Sequence, residues 1–170
     1  MDTTALLRYL DHLAIPYEYH AHVAVYTSEQ ARRLIAPLPG ASAKNLFLRD
    51  KNGQRHFLLT LDDTKALNLK TFSARLGVSN LSLASVERLK DRLGVEPGAV
   101  SLMALVNDPE HRVEVLIDRE IWQAEALHCH PLVNTATLVI PLAGLRKFLA
   151  ATGHAVRLVD IEAAPQPNAE

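Results

Sequence analysis

Apolar residues recur at helical spacing near the start of the chain, ahead of its first proline. This spacing predicts a first helix with one buried face, formed by Leu6, Leu7, Leu10 and Leu13. Thr3 or Thr4 is placed to cap the helix, and Pro16 stops it shortly after the last leucine. The YEYH segment that follows is typical of a short strand.

A second amphipathic segment, EQARRLI, follows Thr27 and Ser28. Either hydroxyl side chain can accept a hydrogen bond from the first turn, so the pattern predicts a helix that begins here. Its predicted inward face consists of Ala31, Leu34 and Ile35. Pro37 and Pro39 end the helix.

Two apolar segments, residues 43–48 and 56–61, flank the turn sequence DKNG. The Asn52-Gly53 pair in this turn is a strong hairpin signal, because both residue types tolerate a positive φ. The sequence therefore predicts an antiparallel hairpin at this point.

Helical and extended patterns then follow one another irregularly to the end of the chain. LKTFSARLG and SVERLKDRLG are predicted helices that end in left-handed caps at Gly77 and Gly94. Further strands are predicted in LSL, SLMALV, RVEVLID, WQAEAL, TATLVIP and HAVRLVDI. A last helix follows Pro141 and ends at Gly153, with an inward face of Leu142, Leu145, Phe148 and Leu149.

Strands outnumber helices, and the two do not alternate strictly. This order predicts an α/β fold of the α+β type, in which a mixed curved sheet is flanked by helices. The length of 170 residues and the 48% hydrophobic content suit one domain, which we expect to span residues 1–162. The polar tail AAPQPNAE, residues 163–170, is predicted to be disordered.

Charge and composition narrow the classes of function. The 18 Lys and Arg residues nearly balance the 19 Asp and Glu residues, which argues against a protein that binds duplex DNA through a broad basic face. Two or three local cations can still hold the end of a nucleic acid. The sequence has neither an apolar run of about 20 residues nor a secretory signal pattern, so we expect a cytoplasmic protein without a membrane segment.

Common cofactor and catalytic motifs are absent. The sequence contains no Walker A, dinucleotide-binding, HExxH or GxSxG motif, and its single cysteine, Cys129, rules out a multi-cysteine zinc site. We therefore expect no cofactor and no metal. Three polar clusters at strand ends remain as candidate sites, because loops on a rigid scaffold commonly carry function.

The first cluster is Lys44 with Asn45, at the start of an apolar strand. A lysine here can be an ordinary edge-strand charge that discourages aggregation. It can also contact a phosphate or a carbonyl oxygen, while the asparagine offers both a donor and an acceptor.

The second cluster is HCHPLVNTAT, which places His130, Pro131, Asn134 and Thr135 close together after Cys129. His130 is compatible with a pocket wall and with a core histidine bonded to backbone. A buried structural role is more common for cysteine than a nucleophilic one.

The third cluster, GVEPGAVS, contains Gly98 and Ser101 in and after a tight turn. Exposed backbone N–H groups in such a turn can hold a carbonyl oxygen or a small anion. An ordinary helix-to-strand connection has the same composition.

Five segments occur in an order that resembles the YbaK/ProX superfamily: YTS at 26–28, KNLFLRD, LTLDDTKALNLK, GVEPGAVS and HCHPLVNTATL. Within it, the chain looks most like the free-standing relatives of the bacterial prolyl-tRNA synthetase insertion domain, the ProXp-ala or PrdX proteins. The resemblance extends from the first helix to about Asp160.

The resemblance implies a site. Lys44 and Asn45 would be the catalytic pair, with the lysine near the terminal adenosine phosphate or the ester. His130 would shape the amino-acid pocket, and Gly98 would lie near the substrate carbonyl. The implied substrate-binding set is Tyr26, Thr27, Gly98, Ser101, His130, Pro131, Asn134 and Thr135.

The resemblance also implies an activity, the hydrolysis of alanine from mischarged tRNA(Pro). The related cysteinyl-tRNA(Pro) deacylases carry a serine where this chain has His130, which favours alanine over cysteine as the residue removed. The implied partner is the acceptor end of tRNA(Pro), with transient contact to prolyl-tRNA synthetase or an elongation factor. The alternative is a non-catalytic module that binds an amino acid or an aminoacyl-tRNA.

Overall fold

The computed structural model describes residues 1–162. The helices are α1 (Thr3–His12), α2 (Ser28–Leu34), α3 (Leu69–Leu76), α4 (Val86–Leu93) and α5 (Leu142–Thr152). The strands are β1 (Glu18–Ala21), β2 (Ala43–Arg49), β3 (His56–Asp62), β4 (Ser82–Leu83), β5 (Val113–Asp118), β6 (Ala126–Cys129), β7 (Ala136–Pro141) and β8 (Val156–Val159). Two 3-10 helices span Leu102–Asn107 and Ile121–Gln123. The predicted disordered tail lies outside the described residues.

The strands form two sheets. The larger has the order β4-β2-β3-β5-β8; β3, β5 and β8 run parallel, and β2 is antiparallel to both of its neighbours. The smaller is antiparallel, with the order β1-β7-β6. The predicted mixed α/β class is confirmed, and its strands are divided between two sheets.

The larger sheet is buried on both faces, because successive side chains of a strand point to opposite sides. Phe47 and Leu58 face a core shared with α1, α5 and the smaller sheet. Leu48 and Leu59, their neighbours in sequence, face a second core that contains Phe72 of α3. A sheet covered in this way holds its strand ends in fixed positions, which is where the polar clusters lie.

The predicted hairpin is confirmed. β2 and β3 pair in antiparallel register from Ala43 opposite Asp62 to Arg49 opposite His56. Gly53 has a φ of 66°, as the turn requires. The left-handed caps at Gly77 and Gly94 are confirmed as well, with φ values of 72° and 63°.

Two predictions about the N-terminal helices are wrong. The cap of α1 is Asp2, whose carboxylate accepts a hydrogen bond from the backbone of Ala5, so neither predicted threonine caps the helix. Thr27 does cap α2, but this helix has no buried residue, and Leu34 is 58% exposed. An amphipathic pattern indicates a face suited to burial, whereas packing decides whether that face is covered.

Two predicted strands are also corrected. SLMALV forms the 3-10 helix Leu102–Asn107, because the Ser101 hydroxyl accepts a hydrogen bond from the Met103 N–H and caps it. In the WQAEAL segment the first residues belong to the 3-10 helix Ile121–Gln123, and only the end of the segment enters β6. Both segments are rich in aliphatic residues because they are buried, and burial alone does not distinguish a strand from a tight helix.

No helix within residues 1–162 is long and apolar enough to cross a membrane.

Candidate functional site

A cavity of about 530 Å³ lies between α2 with its following linker, the first residues of β2, and the end of β6. Six predicted site residues line it: Tyr26, Thr27, Lys44, Asn45, Gly98 and His130. The structure therefore brings together residues from all three polar clusters, although they lie up to 104 positions apart in the sequence.

Lys44 and Asn45 line the cavity at the start of β2. They are adjacent in sequence, so their side chains lie on opposite faces of the strand. The Asn45 side-chain oxygen accepts a hydrogen bond from the Thr60 hydroxyl at 2.7 Å, which fixes the amide. The Lys44 ammonium donates to the backbone carbonyl of Lys65. An ammonium group has three donors, and the other two have no partner between residues 1 and 162, so they remain for a ligand.

An ionic cluster centred on the buried Lys65 lies next to Lys44. The Lys65 ammonium is 2.8 Å from Asp118 and 3.0 Å from Glu120, and it donates to the Ile161 carbonyl at 2.9 Å. Lys65 is 5% exposed. Burial lowers its pKa, but the hydrogen bonds to Asp118 and Glu120 outweigh burial, so the net pKa is raised and the ammonium stays charged.

Asp62, at the end of β3, belongs to the same region. Burial raises its pKa, but hydrogen bonds from the Thr64 hydroxyl and backbone N–H, and the charges of Lys65 and Lys44, outweigh this effect and lower the pKa overall. Asp62 is therefore ionised at neutral pH.

His130 is held as a neutral ring. Its Nδ1 lies 3.0 Å from the Ala136 carbonyl, and because a carbonyl only accepts, Nδ1 donates. Burial lowers the pKa of His130, and the nearby His22 lowers it further, against a smaller opposing effect of the bond to Ala136. The His22 ring packs edge-on at 6.4 Å and is itself tied to the Thr137 hydroxyl at 2.9 Å. His130 is thus a fixed, uncharged wall of the cavity.

Cys129 lines the cavity but is 4% exposed. Burial raises the pKa of its thiol to about 12. At neutral pH the group is a protonated thiol, which is a poor nucleophile. The structural interpretation of this cysteine fits these properties.

Gly98 and Tyr26 meet at the rim of the cavity. Gly98 has a φ of 90°, and a Cβ there would lie 3.2 Å from Tyr26 Cδ1. Tyr26 is 66% exposed, so it is accessible to a ligand. Asn134 supports this corner from outside the cavity, since its amide donates to the Val25 carbonyl at 3.0 Å.

The other predicted residues do not line the cavity. Ser101 is buried and donates to the His130 carbonyl at 2.6 Å. The Pro131 carbonyl accepts from the Thr3 hydroxyl at 2.6 Å, and the Thr135 carbonyl accepts from the His22 N–H at 2.9 Å. These contacts hold the loop that carries His130, so they place the cavity wall rather than form it.

Sequence analysis missed several parts of the site. Arg32 of α2 lines the cavity and is paired with Asp63 at 3.0 Å. His128 belongs to the second polar cluster but was not among the predicted site residues; it lines the cavity while bonded to the Pro39 carbonyl at 2.8 Å. The Lys65–Asp118 pair was also missed, although Lys65 lies within the segment LTLDDTKALNLK. Between residues 1 and 162 there is no group of three or more His, Cys, Asp or Glu side chains arranged to hold a metal ion.

Comparison with known sequences gives one family and several relatives. The family model described as the aminoacyl-tRNA editing domain matches residues 22–148. The prolyl-tRNA editing protein ProX of Acetoanaerobium sticklandii is 34% identical over 157 residues, covering 92% of this chain and 96% of the relative. The prolyl-tRNA synthetase associated domain-containing protein 1 of Danio rerio is 38% identical over 151 residues, covering 88% of this chain and 82% of the relative.

Solved structures show the same fold at low sequence identity. The crystal structure of a candidate trans-editing enzyme for prolyl tRNA synthetase superposes with a TM-score of 0.67 at 15% identity, covering 96% of this chain and 99% of the other. The crystal structure of a hypothetical protein superposes with a TM-score of 0.68 at 18% identity, covering 92% and 97%. With the family match across the cavity-forming residues, these findings show that the chain belongs to the aminoacyl-tRNA editing domain family.

Proposed function

We propose that this protein is a trans-editing aminoacyl-tRNA deacylase that hydrolyses alanine from mischarged tRNA(Pro). The observation that carries the proposal is the cavity at the start of β2, where Lys44 keeps free donors beside a neutral His130 wall, in a chain of the aminoacyl-tRNA editing family. The similarity to a prolyl-tRNA editing protein supports tRNA(Pro) as the nucleic acid.

The chemistry needs few groups. An aminoacyl ester of ribose is already activated, so an enzyme that positions water and stabilises the oxyanion accelerates hydrolysis without a covalent intermediate. In the proposed mechanism the neighbouring ribose 2′-hydroxyl helps to activate the water. Lys44 supplies positive charge to the ester region or to the terminal phosphate, which suits a compact ammonium group with two free donors.

Selection for alanine would work by size. A methylene contributes only about 1–3 kcal/mol of discrimination through favourable contact, whereas a rigid wall rejects a larger side chain by clash. The bond from His130 to the Ala136 carbonyl and the edge contact with His22 make this wall rigid. Prolyl and larger groups would therefore be excluded. The exposed ring of Tyr26 at the rim is suited to stack on a base of the 3′ end.

The partners follow from this role. The substrate would present only its acceptor end, which agrees with a net charge of −1 and with the small number of cations at the cavity. Transient contact with prolyl-tRNA synthetase or an elongation factor, which would hand over the misacylated tRNA, belongs to the same proposal.

The test is hydrolysis by catalytic amounts of protein. Alanyl-tRNA(Pro), prolyl-tRNA(Pro) and alanyl-tRNA(Ala) are each incubated at a hundredfold excess over the enzyme. We expect multiple turnovers with alanyl-tRNA(Pro) and slow loss of the other two. Protection of the ester instead of cleavage would replace the proposal with a binding module, and cleavage of prolyl-tRNA(Pro) at the same rate would contradict selection by size.

A further inference from the structure

The outer edge of β2 is paired at both ends and open between them. At one end the Ala41 N–H donates to the Ala126 carbonyl at 2.9 Å, and the Ala41 carbonyl accepts from His128 at 3.0 Å. At the other end the Phe47 carbonyl accepts from Ala84, just past β4, at 2.9 Å. The stretch from Ala43 to Leu46 has β3 on one side, and no strand within residues 1–162 pairs with it on the other.

The direction of the backbone groups in this gap follows from the alternation of an antiparallel strand. The Ser42 carbonyl points towards β3, since it accepts from the Asp63 N–H at 3.3 Å. The Phe47 carbonyl points the other way, towards β4. By the same alternation, the N–H and C=O groups of Ala43 and Asn45 point outward. Within residues 1–162, no backbone or side-chain group hydrogen-bonds to these outward groups.

The cavity occupies this gap. Residues 42–46 line it consecutively, as the backbone edge of a strand does. β6 begins as a parallel neighbour of the residues just before β2, with Leu127 opposite Ala41, and then diverges so that Cys129 and His130 lie across the cavity. Two strands that start to pair and then separate leave a space between them, and this space can take one extended residue.

An α-aminoacyl ester has the donor and the acceptor that can pair with the outward backbone groups of β2. Its α-ammonium is a donor, its carbonyl oxygen is an acceptor, and the two are separated by one Cα, as in a residue of a β-strand. In a parallel ladder, a residue placed opposite position j donates to the carbonyl of j−1 and accepts from the N–H of j+1, which is the pattern that Ala41 already makes around Leu127.

We propose that the aminoacyl group docks on the free edge of β2 as a one-residue parallel strand opposite Lys44, with its α-ammonium donating to the Ala43 carbonyl and its ester carbonyl accepting from the Asn45 N–H. The inference rests on the proposed deacylase function and names the backbone groups that perform it. Main-chain groups recognise what all amino acids share, so this contact leaves size selection to His130.

The Asn45 N–H is then the oxyanion donor. Water adds to the ester carbonyl carbon, the carbonyl π electrons move to the oxygen, and this oxygen takes a negative charge that the N–H stabilises. The intermediate collapses when the bond from the carbonyl carbon to the ribose oxygen breaks. The ribose oxygen takes the proton lost by the water, which leaves the free amino acid and a tRNA with a free terminal diol.

The test replaces one atom of the backbone. Asn45→Ala removes the amide side chain and keeps the N–H, whereas lactic acid incorporated at position 45 removes the same side chain and replaces the N–H by oxygen. This N–H makes no ladder bond, so thermal unfolding of the two proteins should agree within about 3 °C. The matched control is phenyllactic acid at Phe47, which makes the same change on the same outer edge but outside the cavity.

The expected result is a fall in kcat on alanyl-tRNA(Pro) of about 100-fold between Asn45→Ala and its ester counterpart, with little change in KM. The Phe47 ester should keep its kcat within about twofold of the wild type. Lactyl-tRNA(Pro) lacks the ammonium. When the kcat/KM of each ester is divided by the rate constant of its own spontaneous hydrolysis, the value for the lactyl ester should be about tenfold lower than the value for the alanyl ester.

Equal kcat values for the ester at position 45 and for Asn45→Ala would overturn the inference while leaving the deacylase function intact. Equal acceleration of lactyl and alanyl esters would overturn the contact with the Ala43 carbonyl. A wild-type protein that hydrolyses none of the alanyl, seryl and glycyl esters would overturn the proposed function itself, and the inference with it.

Discussion

Two lysines of this protein lie at the same end of the larger sheet and differ in how many partners each has. Lys65 is 5% exposed, and its ammonium is saturated by Asp118, Glu120 and the Ile161 carbonyl. Lys44 lines the cavity and, among the residues that the structure describes, makes one hydrogen bond, to the backbone of Lys65. A buried charge with all of its donors used holds a structure together, while a charge with donors to spare beside a cavity is available to a ligand.

The two lysines are also linked. The carbonyl that receives the Lys44 ammonium belongs to Lys65, and the Lys65 N–H donates to the Asp62 carbonyl at 3.1 Å. Asp62 ends β3 and Asp118 ends β5, which are neighbouring parallel strands. The ion pairs of Lys65 therefore set the position of Lys44. Substituting the two lysines separately distinguishes an effect on stability from an effect on activity.

The largest expected effect is on stability, from Lys65→Met. Removal of one partner of a buried ion pair leaves Asp118 buried without its cation, which costs about 3–5 kcal/mol. For a protein of this size the loss lowers the Tm by about 6–20 °C. Differential scanning calorimetry measures it. The exposed Lys70→Met is the matched control, and it should remain within about 0.5 kcal/mol of the wild type. Equal Tm values for the two variants would contradict the structural role of Lys65.

The next effect concerns Cys129, which lies at the cavity but belongs with the buried, structural groups. Cys129→Ala should cost about 1–2 kcal/mol, because it removes a buried sulfur from the core. Its kcat on alanyl-tRNA(Pro) should stay within about twofold of the wild type, since a thiol with a pKa of about 12 is not a nucleophile at neutral pH. A hundredfold loss of kcat with an unchanged Tm would show that the thiol acts in the reaction.

A smaller effect is the pH dependence of the free energy of unfolding that His56 produces. His56 is 1% exposed, and its Nε2 accepts from the Arg88 guanidinium at 3.0 Å. Burial lowers the pKa of His56, and the charges of Arg92 and Arg88 lower it further. The unfolded chain, with a histidine pKa of about 6.5, therefore binds a proton at a higher pH than the folded protein does. This contribution to stability is complete above about pH 6.5 and is lost as the pH falls below that value.

Urea unfolding at pH 8, 7, 6 and 5 checks the sign. The free energy of unfolding should fall between pH 7 and pH 5, and the fall should be shallower in His56→Asn, whatever its stability at pH 8. Since His130 also has a lowered pKa, part of the slope should remain. A free energy of unfolding that rises on acidification through this window would contradict both assignments.

The smallest effect comes from the outer partner of Lys65. The Glu120 side chain is 76% exposed, whereas that of Asp118 is 1% exposed, so Glu120→Gln should cost less than about 1 kcal/mol. Urea unfolding of this variant beside Lys65→Met sharpens the comparison within the cluster. A cost of 3 kcal/mol or more would mean that the exposed carboxylate, and not Asp118, holds the lysine.

Local signals in the sequence predicted much of the fold. The Asn52-Gly53 pair predicted the hairpin. Gly77 and Gly94 indicated helix ends, because few other residues adopt a positive φ without strain. The segment after Ser101 was misjudged because its residues are apolar all round, which is equally typical of a buried strand and of a buried 3-10 helix. The exposure of α2 depends on what packs against it, which no local pattern encodes.

The site divides in the same way. Lys44, Asn45 and His130 stand out as polar residues in apolar surroundings, and the cavity contains all three. The free edge of β2 carries no sequence signal, because it depends on where β4 and β6 stop pairing with that strand. The Lys65–Asp118 pair joins residues 53 positions apart, and only the parallel pairing of β3 with β5 brings them together.

The most direct test of the account is the single-turnover rate of alanine release from alanyl-tRNA(Pro) by Lys44→Met, measured beside the wild type with enzyme in excess. The free donors of the Lys44 ammonium are predicted to contact the ester, so their removal should lower the rate about 100-fold or more. The Tm should change by only a few degrees, because the Lys65 cluster stays intact. An unchanged rate in a folded Lys44→Met protein would contradict the central claim that this edge of the cavity carries the reaction.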